Sequence, residues 1–234
     1  VETKTGQILY AKNIHERLSI ASLTKIMTAL VALENKGLDD QILINESVTK
    51  VEPDNMELLA GEKLTVKELL YGIFLISAND AAEALSQGIV IKEEFIKMMN
   101  SKAKQLGMKD TYFANPTGLD EDNNTHSTAF DLVLLSRYAI RNFPVLVDIS
   151  KLDHVLLPKT ENHQDYNMYS VINLLKTYPG VVGFKTGYTQ DAGLTLVTIA
   201  RREDKEVIGV LLGSENRRDE ARKLLDYSFQ KLGF

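Results

Sequence analysis

A chain of 234 residues, 44% of them hydrophobic and 25% charged, can bury one substantial core and has the balance of a globular protein rather than a disordered or collagen-like one. Its net charge of -5 argues against nucleic acid as the main ligand, because phosphate binding needs a basic surface. The absence of cysteine excludes disulfides and thiolate metal sites, and no apolar run approaches the length of a membrane span.

The sequence starts at Val1 with neither an initiator methionine nor a signal peptide, which reads as a mature or trimmed product. Gln7 to Tyr10 reads as a short strand behind a turn supplied by Gly6. From Ser22, "SLTKIMTALVALENKG" carries Ile26, Leu30 and Leu33 at helical spacing with Gly37 as the stop, which predicts a buried helix. Thr65 with Glu68 reads as a capping box opening "VKELLYGIFLIS", and another helix follows Asn79, so "SAN" falls at a helix-helix junction. A helix over about Glu93 to Leu106 precedes a loop, "DTYFANPTGLD", and Thr128 with Asp131 caps "AFDLVLLSRYAIRNF". The last third changes character. "LTLVTIARREDKEVIGVLLGS" has the pattern of a hairpin turning at Arg-Glu-Asp-Lys, and "RRDEARKLLDYSFQKLGF" that of an amphipathic final helix. The expected class is α/β, an antiparallel sheet flanked by helices with an inserted helical lobe, without internal repeats or a long linker.

Ser-x-x-Lys places a hydroxyl and an amine on one face of a helix, where the amine can take the serine proton without a histidine. The spacing occurs four times, at Ser22/Lys25, Ser47/Lys50, Ser101/Lys104 and Ser228/Lys231. Only Ser22 opens a strongly apolar helix, where unpaired N–H groups favour developing negative charge; the structural alternative is a plain N-cap. Ser-x-Asn occurs at Ser77/Asn79 and Ser214/Asn216, and Lys-Thr-Gly at Lys4 to Gly6 and Lys185 to Gly187; each alone reads as a turn or cap. Asp80 reads as a helix cap and Arg217 to Arg222 as a solvated helix face. His15, His126, His154 and His163 have no zinc-site spacing, and Phe184 interrupts the Gly-Lys pair that a phosphate loop would need. No cofactor or metal is expected.

The ordered set of Ser22-x-x-Lys25, Ser77-x-Asn79 and Lys185-Thr186-Gly187 resembles the motif set of penicillin-binding proteins and class A β-lactamases. "IASLTKIMTALVALE", "SANDAAEAL", "FANPTGLD", "STAFDLVLLSRYA" and "YPGVVGFKTGYT" are similar to the low-molecular-weight serine D-alanyl-D-alanine carboxypeptidases over almost the whole chain. The resemblance implies that residues 1–234 are the two-lobed catalytic domain, with the family's C-terminal β domain and membrane anchor absent from this chain. It implies that Ser22 attacks the penultimate D-alanine carbonyl of a peptidoglycan stem peptide, with Lys25 as base and Ser77 passing a proton to the leaving amine. Asn79, Lys185, Thr186 and Gly187 would bind substrate, Lys185 staying charged, and the N–H groups of Ser22 and Tyr188 would form the oxyanion hole. β-Lactam antibiotics would acylate the same serine, and the protein would act outside the cytoplasmic membrane, attached to it only through a segment this chain lacks.

Two other readings compete. A class A β-lactamase resembles this pattern but needs a glutamate of the form E-x-x-x-N, and none of Glu83, Glu93, Glu94, Glu121 and Glu161 has asparagine four residues on. A non-catalytic peptidoglycan-binding module of the same fold would keep the motifs without turnover.

Overall fold

A computed structural model describes residues 1–51, 53–120 and 124–234. At its centre is an antiparallel sheet of β5 (Val181–Thr189), β6 (Gly193–Arg202) and β7 (Lys205–Ser214), in that order. The predicted hairpin is β6 and β7, with Arg202 opposite Lys205 and Glu203 in the left-handed region at φ +50. Along β6 the side chains alternate. Leu196 and Ala200 face α8 (Arg217–Lys231) with Ala221, Leu225 and Phe229, whereas Val197 and Ile199 join Phe184 and Ile208 in the larger core shared with the remaining helices. Helices therefore cover both faces, and the fold is α/β with an antiparallel sheet.

The helical part lies in sequence between the N-terminal segment and the sheet. It is built round α1 (Thr24–Asn35), whose residues from Thr24 to Ala32 are all buried. A 3-10 turn, Ala21–Leu23, precedes α1, so Ser22 stands in that turn, two residues ahead of the α-helix proper. Around it pack α2 (Val66–Tyr71), α3 (Asn79–Gln87), α4 (Lys92–Gln105), α5 (Ala129–Asn142) and α6 (Val145–Ser150). Both predicted caps form: Thr65 and Glu68 bond reciprocally, and Thr128 Oγ1 accepts from Asp131 N at 3.0 Å. The helix expected to run through "GIFLIS" changes instead to a π-turn at Gly72–Ile76, which ends with Ser77 in the left-handed region at φ +65. That wider turn places Ser77 and α3 at an angle no continuous α-helix would give.

One local expectation is corrected, and several short elements were not foreseen. Gln7 to Tyr10 is not a strand: the N-terminal segment pairs with β7 through Glu2 opposite Val207, and Ile8 and Tyr10 lie on the surface. Two short antiparallel pairs were not legible, β1 (Gln41–Leu43) with β2 (Lys63–Thr65), and β3 (His154–Leu157) with β4 (Tyr166–Tyr169). A short helix, α7 (Leu174–Thr177), leads into β5. Strands of three or four residues offer too few alternations to separate them from loop.

Candidate active site

The site forms where the Ser22 turn, the start of α3 and β5 meet. Lys25, fully buried, places Nζ 2.7 Å from Ser22 Oγ, 2.6 Å from Asn79 Oδ1 and 2.8 Å from the Thr117 carbonyl. These are as many acceptors as an ammonium has hydrogens. In the neutral amine, two N–H bonds stay satisfied by Asn79 and Thr117, which leaves the lone pair directed at the Ser22 hydroxyl. Burial is the main reason the Lys25 pKa is lowered to about 7, against the opposing pull of the Asp54, Asp80 and Glu83 carboxylates.

Lys185, also buried, donates to Ser77 Oγ at 2.8 Å and to the Thr186 carbonyl at 2.8 Å. Burial first, then the charges of Lys25 and Arg217, push its pKa well below the usual lysine range. A bound carboxylate would oppose that shift.

Gly187 explains how β5 comes so close to the Ser22 turn. A Cβ there would lie 2.6 Å from Thr195 Oγ1, 2.9 Å from Ser22 N and 3.1 Å from Ala21 Cβ. Tyr188 follows it in the strand with a largely exposed side chain. Gly187→Ala is expected to move β5 off the turn, costing roughly 1–3 kcal/mol of stability from overpacking. Acylation should fall more than that stability loss accounts for, a comparison made by denaturant titration beside penicillin labelling; a wild-type rate would show that the close approach is not needed.

The turn itself is constrained. Ala21 has φ +49, and its carbonyl packs where a Cβ of Gly118 would be, at 1.9 Å. Gly118 belongs to the "NPTG" loop, whose Asn115 Oδ1 accepts the N–H groups of Thr117 and Gly118, so that loop delivers the Thr117 carbonyl to Lys25. The loop was legible as a loop, but a contribution through its backbone carbonyl has no side-chain signature.

The structure thus brings Ser22, Lys25, Ser77, Asn79, Lys185, Thr186 and Gly187 together and leaves the duplicates elsewhere. Lys4 to Gly6 lies in a turn closed by Gly6 N on the Glu2 carbonyl at 2.9 Å. Lys50 pairs with exposed Glu46, Ser101 and Lys104 are exposed on α4, Ser228 bonds back to Leu224 O within α8, and Asn216 caps α8. Two polar residues read differently from the sequence. Arg217 is not a solvated helix residue: its guanidinium reaches the Gly187 carbonyl at 2.8 Å, and burial lowers its pKa. Asp80 is not a simple cap, since its carboxylate accepts N–H groups from the 56–58 segment. Among the glutamates considered above, Glu83 is buried with Lys92 at 2.8 Å, Glu93, Glu94 and Glu161 are exposed, and Glu121 lies outside the described residues.

Comparison with known proteins identifies the family. A family model described as D-alanyl-D-alanine carboxypeptidase matches residues 1–216. The D-alanyl-D-alanine carboxypeptidase DacF of Bacillus subtilis is 36% identical over 99% of this chain, which spans 61% of that relative's length. A Streptomyces D-alanyl-D-alanine carboxypeptidase is 35% identical, with 96% of this chain and 84% of the relative covered. Among solved structures, the Francisella tularensis carboxypeptidase DacD superposes with a TM-score of 0.90 at 30% identity, covering 97% of this chain and 68% of that one. A variant of a Streptomyces DD-transpeptidase gives 0.91 at 31%, covering 98% and 95%. The chain belongs to the D-alanyl-D-alanine carboxypeptidase family, the low-molecular-weight penicillin-binding proteins.

Proposed function

We propose that this chain is a serine D-alanyl-D-alanine carboxypeptidase that removes the terminal D-alanine of peptidoglycan stem peptides. The observation that carries the proposal is the fully buried Lys25 amine, held by two fixed carbonyl acceptors and 2.7 Å from Ser22 Oγ. Ser22 Oγ attacks the penultimate carbonyl carbon as its proton passes to Lys25 Nζ. The resulting oxyanion is held by the N–H groups of Ser22 and Tyr188, in a site where one such donor is worth roughly 2.7–4 kcal/mol. The C–N bond then breaks as the proton held by Lys25 is relayed through the Ser77 hydroxyl to the departing amine, and D-alanine leaves behind an ester on Ser22. Water attacks that ester, and the serine recovers its proton.

Lys185, Thr186 and the nearby charge of Arg217 suit a terminal carboxylate, which an internal peptide bond does not present. Binding of that anion also raises the Lys185 pKa, so substrate itself sets the division of charge between the two lysines. Penicillins carry a strained amide and a carboxylate in the same relation and are expected to acylate Ser22. The substrate places the reaction outside the cytoplasmic membrane. Among the described residues no helix is long and apolar enough to cross a membrane.

The test is an intact-mass time course with benzylpenicillin, peptide mapping of the adduct, and an assay for D-alanine release from a stem pentapeptide. A persistent adduct on Ser22 with D-alanine released is the expected result. Penicillin consumed without an adduct would favour the β-lactamase reading, and peptide binding without release the non-catalytic module.

A further inference from the structure

The amide of Asn79 has a direction. Its Oδ1 accepts from Lys25, its Nδ2 donates to the Pro53 carbonyl, and its main-chain N–H donates to the Asp54 carbonyl at 2.7 Å. Rotating the amide by half a turn would set its NH₂ against the Lys25 ammonium and its oxygen against the Pro53 carbonyl. The Pro53 carbonyl therefore selects the orientation in which Asn79 accepts from Lys25. Pro53, however, belongs to a segment, 53–59, that lies in no helix or strand.

What holds that segment is Asp80. Its carboxylate, 1% exposed, accepts Met56 N at 2.9 Å through both oxygens, Leu58 N at 3.2 Å and its neighbour Ala81 N at 2.8 Å. Asp54 and Glu57 have left-handed backbones at φ +50 and φ +61, a conformation that side chains other than glycine rarely adopt. Those bends turn the Met56 and Leu58 N–H groups toward one carboxylate. The donors also counter the burial that raises the Asp80 pKa.

We propose that Asp80 is a positioning residue for acylation: through the 53–58 segment it fixes the Asn79 amide, and through Asn79 it holds the Lys25 amine on Ser22. The relay runs from the Asp80 carboxylate to the Met56 and Leu58 N–H groups, from the Pro53 and Asp54 carbonyls to Asn79, and from Asn79 Oδ1 to Lys25 Nζ. The charged groups facing Lys25 from the packed elements are Asp54, Asp80 and Glu83, with Lys185 opposite. The inference rests on the reading of Ser22 and Lys25 given above.

The test measures benzylpenicillin acylation rates across pH for wild type, Asp80→Asn, Asn79→Ala and the double variant. Asp80→Asn keeps the size of the side chain but turns one acceptor into a donor aimed at an N–H. It is expected to slow acylation by about 10²-fold, the effect of a misplacement near 1 Å. The acid limb of its pH profile should move to lower pH, because Lys25 loses a fixed acceptor and a nearby negative charge together. In the Asn79→Ala background the same change should add almost nothing, since the two act as one unit. Additive effects, or a wild-type rate and limb, would overturn the proposal, because a merely structural carboxylate changes stability without coupling to Asn79. If Asp80→Asn does not fold, hydrogen exchange on the wild type decides: Met56 and Leu58 N–H are expected to be protected, and exchange at the rate of an open loop overturns the relay. A wild type that is not labelled at Ser22 overturns the catalytic reading itself, whereas a labelled wild type with an unaffected Asp80→Asn overturns only this inference.

Discussion

Ser22→Ala is expected to abolish both D-alanine release and penicillin labelling, a fall of at least about 10⁴-fold, because the acyl-enzyme has no atom on which to form. The loss should come with little loss of fold. Ser22 is only partly buried, and its hydroxyl is one of three acceptors on Lys25, so stability should change by about 1 kcal/mol. Alanine at Ser47, Ser101 or Ser228 is the control, since each shares the Ser-x-x-Lys spacing but lies outside the site. Full labelling of Ser22→Ala would remove the nucleophile from this reading, and so would a loss of labelling that followed any of the three controls.

Acylation is expected to rise with pH and level off above about 7. The sign follows from the lowered Lys25 pKa: below about 7 the amine holds a proton and cannot accept another, and above it the lone pair is free. Each further pH unit on the acid side should cost about tenfold in rate. Lys25→Arg keeps a positive charge that does not titrate in this range and should lose acylation at every pH. The same shift links to folding. From about 7 up to 10.5 the unfolded chain binds a proton that the folded Lys25 does not, so stability should climb through that interval. Lys185, shifted the same way, adds to the climb. A rate independent of pH across neutrality, measured by stopped mass time courses, would take Lys25 out of the role of base.

The sequence made the chemistry more legible than the scaffolding that aims it. Ser22, Lys25, Ser77, Asn79 and Lys185 stand in motifs whose order is informative, and the caps at Thr65 and Thr128 are local enough to read directly. The Thr117 and Pro53 carbonyls could not be read this way, because any residue supplies a carbonyl and only tertiary contact says where it points. Arg217 was hidden by its neighbours: in "RRDEAR" one arginine turns toward β5 while the polar run around it gives the pattern of a solvated face. For Asp80 a signal did exist, an acidic residue directly after Ser-x-Asn at the start of a buried helix. The pull toward an N-cap reading concealed it, since two of the N–H groups it binds are 22 and 24 residues earlier in the chain. The π-turn before Ser77 has the same origin, as helix propensity favours continuing the α-helix and the packing of α3 overrides it.

The pairing of the N-terminal segment with β7 bears on how the molecule comes into being. Thr3 bonds to the Glu206 carbonyl, 203 residues away, and the helical part is contained between those two strands of contact. A chain delivered from one end, by a ribosome or through a translocation channel, holds one half of that contact long before the other exists. The edge of β7 cannot be closed until Glu206 and its neighbours have emerged, and such distant pairings make for slow assembly. During that wait the N-terminal segment has no strand to pair with, so the interval before closure is when proteases and folding helpers have the best access to this chain.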